Sequence, residues 1–200
     1  ASGLTLVFTG AAVREVCLQE LTRLPALCTP WGTWRDFELR AARGTGIELA
    51  GGLALTSRRL AKLMRHAHSM RLFMATLGAG VTREVQRLVH EGCMLEALAL
   101  DAAATTAVHG LTEGLIRRTC DEARRRGHGT TIRYAPGYTG WSISDIAALF
   151  ATLEREHIPV QLNPQLMMRP EKSLLSIVGL TNDGRIAAPL EQCRGCDLIH

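Results

Sequence analysis

Two hundred residues, 46% hydrophobic and 21% charged, make a chain long enough for one sizeable core and short for two. The formal charge of +4 comes from scattered arginines, of which only Arg124, Arg125 and Arg126 form a run, and aromatics are 4% of the chain, so the basic, aromatic-interleaved surface that nucleic acid needs is missing. No apolar run has the length to span a bilayer, and the first residues lack a basic region followed by a long apolar core, which points to a cytoplasmic protein of one domain over residues 1–200 with no membrane contact.

Taken in chain order, residues 11–24 read as a helix ended by Pro25, and Pro30 marks a loop. Trp31 and Trp34, beside two prolines and with nothing basic organised around them, read as a core anchor. Residues 47–49 and 53–55 read as short extended pieces around Gly51 and Gly52. Ser57 caps a helix to about residue 68, with Leu60, Leu63, Met64 and Ala67 on its apolar face. Residues 70–77 form a compact apolar run, short enough for a buried strand. Thr82 caps the next helix, to about residue 90. Residues 93–126 keep a helical pattern for more than thirty positions and end at Gly127, with three arginines in the last turn to meet the partial negative charge of a helix C-terminus.

Residues 130–134 follow as a strand, Ser142 or Ser144 starts a helix, and 160–162, 166–168 and 174–180 read as strands, the last followed by an Asn182-Asp183-Gly184 turn that predicts a hairpin. Helices early and strands late predict an α+β fold, a mainly antiparallel sheet packed by helices that include one long one.

Residues 133–141, Arg-Tyr-Ala-Pro-Gly-Tyr-Thr-Gly-Trp, concentrate a fixed cation, two glycines, a proline and three aromatics. Arg133 offers a planar fork of donors suited to a carboxylate or phosphate, and Gly137 and Gly140 permit turns and close approach. A structural turn with an aromatic plug accounts for the same composition. His109 and Glu113, four apart, share one face of the long helix with Ala102, Thr105, Thr106, Ile116 and Cys120. They line a pocket, or they form a half-exposed stripe in which Glu113 pairs with Arg117.

Cys193 and Cys196 have the spacing that lets two thiolates face one zinc or iron–sulfur centre, with His200 as a third candidate ligand, but two ligands do not close a site and a redox-labile or unligated pair is the preferred reading. The other four cysteines read as reduced, single thiols, and the remaining histidines recur at no ligand spacing. Gly44-Thr45-Gly46 lacks the third glycine of a dinucleotide fingerprint, and no Ser, His and Asp arrangement marks a hydrolase.

Ile132 through Trp141 resembles the signature of the activation, or reactivation, domain of cobalamin-dependent methionine synthase. Leu72-Phe73-Met74-Ala75-Thr76-Leu77-Gly78 is similar to the family's apolar strand, and Leu100-Asp101-Ala102 to the opening of its long helix. Ile158-Pro159-Val160-Gln161-Leu162-Asn163 and Met167-Met168-Arg169-Pro170-Glu171-Lys172-Ser173 resemble the closing strands of stand-alone members. The likeness covers residues 72–180 and is followed by a cysteine-bearing tail at 189–200.

The resemblance implies a single α+β domain with a twisted antiparallel sheet that binds S-adenosylmethionine. Its methyl group would serve the reductive reactivation of a corrinoid protein or cobalamin-dependent methyltransferase. Cobalamin would come only through that partner, since the chain lacks the Asp-x-His-x-x-Gly pattern that gives a histidine to cobalt. Electrons would come from an external donor, so the chain would be an accessory component with no turnover alone. By the resemblance, Arg133 holds the methionine carboxylate, Ala135 contacts the ligand through its backbone, and Gly137 with Tyr138 completes the wall. His109 stands where the family has a glutamate, with Glu113 one turn later, and residues 177–188 contain no counterpart of a second ligand-contacting tyrosine. A docking protein that recognises a corrinoid partner but has lost the ligand is the alternative implied by those departures.

Overall fold

The structure, a computed structural model, describes residues 10–153, 157–185 and 187. Helix α1 (Ala11–Leu27) leads into strand β1 (Trp31–Arg43), followed by β2 (Gly46–Leu49), β3 (Ala54–Thr56), helix α2 (Arg58–Met64) and strand β4 (Ala67–Thr76). Helices α3 (Gly80–His90) and α4 (Met94–Arg125) come next, then β5 (Gly129–Thr130), α5 (Asp145–Ala151), β6 (Gln161–Leu162), β7 (Met168–Arg169) and β8 (Ser173–Thr181). Six strands form one sheet in the order β3-β2-β1-β4-β8-β5, every pairing antiparallel, while β6 and β7 pair apart from it. This is an α+β fold with a mainly antiparallel sheet and one long helix.

The centre of the sheet is covered on both faces. Successive side chains of a strand point to opposite faces, so Met70, Leu72 and Met74 of β4 enter one core while Phe73 and Ala75 enter the other. The first core gathers Leu60 and Met64 of α2, Leu149 and Phe150 of α5, and Tyr134 and Trp141. On the opposite face, α4 sets Leu115 against Phe73, Ala75 and Val178, and packs its first half against α1 and α3 through Leu24, Val81, Leu88, Leu100 and Ala104.

Arg71 alternates onto the α4 face, where an apolar residue is expected, and its side chain is only 6% exposed. It donates to both oxygens of Asp36 on β1, from Nε at 2.6 Å and Nη2 at 2.7 Å, and from Nη1 to Glu122 at 2.9 Å and Thr119 at 3.2 Å on α4. One guanidinium therefore ties the middle of the sheet to the helix across it.

Several boundaries differ from the sequence expectations. Helix α1 passes through Pro25 to Leu27, because a proline so close to the end interrupts few bonds and the Cys28 N–H caps back to the Pro25 carbonyl at 3.3 Å. Ser57 does cap α2, its Oγ accepting from Leu60 N at 3.0 Å, but the helix ends at Met64 and Ala67 and His68 open β4 instead. Helix α3 begins at Gly80, with Ala79 rather than Thr82 at its cap. A close approach requires that glycine, since a Cβ there would lie 2.1 Å from the Leu27 carbonyl oxygen.

The expectation of helices early and strands late fails at β1, a thirteen-residue strand that pairs with the central β4. In place of a strand over residues 130–134, the two-residue β5 ends at Thr130 and an isolated bridge follows at Tyr134. Among the described residues no strand follows the turn after β8, and the hairpin's second strand would fall outside them. The turn carries the chain past β5, where Thr130 donates to Arg185 O and accepts from Ala187 N.

No helix among the described residues is long and apolar enough to cross a membrane. Replacing Arg71 by alanine leaves Asp36 and Glu122 facing each other without their shared cation. Because both carboxylates are partly exposed, the expected loss is about 3 kcal/mol of unfolding free energy, the low end for a broken buried pair, measurable by urea denaturation.

Candidate functional site

The segment from Arg133 to Trp141 is held to the sheet before it turns. Tyr134 exchanges two backbone hydrogen bonds with Ile177 of β8, donating at 3.0 Å and accepting at 2.8 Å, and its ring stacks on Trp141 at 5.3 Å in the first core. Its hydroxyl donates to the Thr139 carbonyl at 2.6 Å, and burial pushes its phenol above the usual tyrosine range.

The turn itself closes through Tyr138 N to Ala135 O (3.2 Å), Trp141 N to Tyr138 O (2.9 Å) and Gly137 N to Trp141 O (3.0 Å). Gly137 and Gly140 sit at φ +88° and +83°, the left-handed region that a side chain disfavours, and a Cβ on Gly140 would also press on the Arg59 side chain at 3.3 Å.

Two residues not singled out for the site brace it from α2 and α5. Ser57 Oγ donates to the Gly140 carbonyl at 2.7 Å, while Asp145 Oδ2 accepts from Trp141 Nε1 at 2.8 Å and from Thr56 N at 3.0 Å. The Trp141 and Asp145 spacing of four was the one sequence signal for the second brace.

Anchoring Tyr134 in one core turns Arg133 to the opposite side, toward α4. Its side chain is 10% exposed, and its guanidinium gathers three of the expected residues. Nη1 and Nη2 lie 3.5 and 3.4 Å from His109 Nδ1, Nη2 donates to Tyr138 Oη at 3.3 Å, and Nη1 lies 3.8 Å from Glu113 Oε1. Glu113 thus faces Arg133. Arg133 Nε is buried without a hydrogen-bond partner. All of these contacts are long for charge-assisted bonds, which run near 2.8 Å.

Since a guanidinium only donates, the His109 Nδ1 must accept, and the ring proton belongs on Nε2. Burial pushes His109 below the usual histidine range, Arg133 pushes it further, and Glu113 opposes them. His109 is therefore neutral at pH 7.

Of the remaining expected residues, Ala135 is buried with its carbonyl engaged in the turn, and Gly137 is exposed at the tip. Cys193, Cys196 and His200 lie outside the described residues. Among those described, no group of three or more His, Cys, Asp or Glu side chains is placed to hold a metal ion. Two cavities of about 430 Å³ lie away from Arg133, one between β1 and the second half of α4, the other beside the start of α3 and Pro159.

No family model matches the chain, and no curated protein sequence matches it. In three dimensions it is similar to a crystal structure of the MetH reactivation domain bound to AdoHcy, with a TM-score of 0.65 at 16% sequence identity, covering 92% of this chain and 71% of that one. At that identity the likeness is one of fold.

An NMR titration should place the His109 pKa below the usual histidine value, and Arg133→Gln should raise it by removing the adjacent cation. The unfolded chain then binds more protons just below pH 6.5 than the folded chain does, so His109 lowers stability as pH falls through that window. An unshifted His109 in both proteins would contradict the arrangement.

Proposed function

We propose that the Arg133 cluster binds S-adenosylmethionine or its demethylated product, and that the chain is a reactivation-type accessory module for a corrinoid protein or cobalamin-dependent methyltransferase. One observation carries the reading: a nine-tenths buried arginine whose contacts are all long and whose Nε has no partner. Burying a cation without short, charge-assisted bonds is costly, and a carboxylate entering beside Arg133 would supply them. The amino-acid end of the ligand fits the remaining groups. Its carboxylate takes Arg133, its ammonium takes Glu113, and its sulfonium meets the electron-rich face of Tyr138, which is partly exposed.

His109 then acts as a positioning residue. As a neutral acceptor it holds the guanidinium without competing for negative charge, whereas a glutamate there would pair with Arg133 directly. When bound, the ligand supplies an electrophilic methyl group for a reduced corrinoid carried by the partner, with electrons from an external donor. The similarity in fold to a domain crystallised with AdoHcy supports this choice of ligand.

Calorimetry tests it. Wild-type protein should bind S-adenosylmethionine or S-adenosylhomocysteine, and Arg133→Ala should weaken binding roughly 10- to 100-fold, the worth of a hydrogen-bonded charge. Arg40→Ala, an exposed arginine on β1 paired with Glu38, should bind as wild type. Equal binding by wild type and Arg133→Ala, or no binding by either, removes the assigned pocket. Capture of a corrinoid protein without any binding of the ligand would favour a docking role instead.

A further inference from the structure

Trp34 lies on the face of β1 opposite Phe37, which enters the first core, and the residue is 36% exposed. The structure surrounds it with basic groups that the sequence keeps far apart. The Arg71 guanidinium carbon lies 5.5 Å from its ring centroid and that of Arg118 on α4 lies 5.6 Å away, so the expected core anchor is a cationic platform. With Asp121, Glu122 and Arg125 these residues line a cavity of about 430 Å³, within the size range of small-molecule sites.

The charges around this cavity are unevenly satisfied. Arg71 is saturated by Asp36, Glu122 and Thr119, Asp121 pairs with Arg124 at 2.8 Å, and Glu122 also takes Arg126 at 3.0 Å. Every carboxylate there already has a cation. Arg118 and Arg125 make no ion pair within 4 Å among the described residues, with Arg125 acting on Glu122 only at longer range, so the cavity keeps an excess of positive charge. They are seven positions apart on one face of α4, about 10.5 Å along the axis, too far for one small anion to satisfy both without both side chains bending inward. A chain of phosphates spans that distance, and each planar fork can take one phosphate bidentately.

We propose that this cavity binds a nucleotide-class organic phosphate, with the base against the exposed part of Trp34 and a di- or triphosphate chain along Arg118 and Arg125. The buried Arg71 supplies a fixed positive floor, and Trp34 holds Arg118 ready by stacking. The site is separate from the Arg133 cluster and does not depend on what that cluster binds.

The test is a titration of the whole chain with ADP at low salt, followed by calorimetry and tryptophan fluorescence. ADP should bind and change the emission, adenosine should not bind, and pyrophosphate should bind more weakly than ADP. Trp34→Phe should abolish the emission change, although Trp31 and Trp141 remain. The double variant Arg118→Ala/Arg125→Ala should raise the ADP Kd roughly tenfold or more while its circular dichroism and melting temperature stay unchanged, because both side chains are exposed. Lysine at both positions should give an intermediate Kd, keeping charge but not the planar fork. The proposal is overturned by an absence of ADP binding at millimolar concentration, by an unchanged Kd in the folded double-alanine variant, or by an emission change that survives Trp34→Phe.

Discussion

The geometry of the Arg133 cluster depends on Tyr134 being bonded to β8. Two backbone hydrogen bonds to Ile177 and a buried ring against Trp141 leave Tyr134 one place to go. Neighbouring side chains of extended backbone diverge, so sending Tyr134 into the core sends Arg133 to α4. The turn beyond it is then closed by its own backbone bonds and braced from two sides, by the α2 cap residue Ser57 and by Asp145 of α5. A side chain positioned this way needs little support of its own. Rigid backbone under a long, flexible side chain is how a fold gives an arginine a defined direction.

The same alternation governs the middle of the sheet. β4 is buried on both faces, so its residues contribute to cores on opposite sides of the sheet, as do those of β8, which sends Leu175 and Ile177 to one and Val178 to the other. α4 covers the far face and runs beyond the sheet at its first half, where α1 and α3 pack on it. It therefore passes over Arg71 near its end and over Arg133 in its middle, and both guanidinium clusters form between this one helix and the sheet or its flanking turn. A thirty-two-residue helix spans about 48 Å, enough to present two separate polar regions without bending.

Much of this was legible in the sequence where the signal is local. The long helix and its Gly127 stop, the buried strand in β4, the Ser57 cap and the α+β class follow from periodicity, capping chemistry and composition. So did the meeting of Arg133, His109, Glu113 and Tyr138, though only through a resemblance and not from spacing. β1 was illegible because its outward face carries Trp34, Asp36, Glu38 and Arg40 while its inward face mixes Arg35 with apolar residues, which blurs the period of two. The ending of α2 at Met64 was missed because Ala67 and His68 continue a helical pattern, and pairing with β8 overrides that local preference. The surroundings of Trp34 could not be read at all, since Arg71 and Arg118 come from elements distant in sequence.

Two arginines show why burial alone does not identify a binding residue. Arg71 and Arg133 are similarly buried, at 6% and 10% exposure, and each faces α4. Arg71 spends its donors on two carboxylates and a threonine, three of its four contacts within 2.9 Å, in a fork-to-fork arrangement that leaves little capacity. Arg133 meets an imidazole, a phenol and a carboxylate at 3.3 to 3.8 Å and leaves Nε bare. The first arrangement is complete without a ligand, and a further anion would have to displace Asp36 or Glu122. The second costs desolvation that its neighbours repay only in part, so the folded chain holds Arg133 in a state that an incoming carboxylate improves. The difference lies in bond length and geometry, and under the proposed function it separates a structural cation from one that is available to bind.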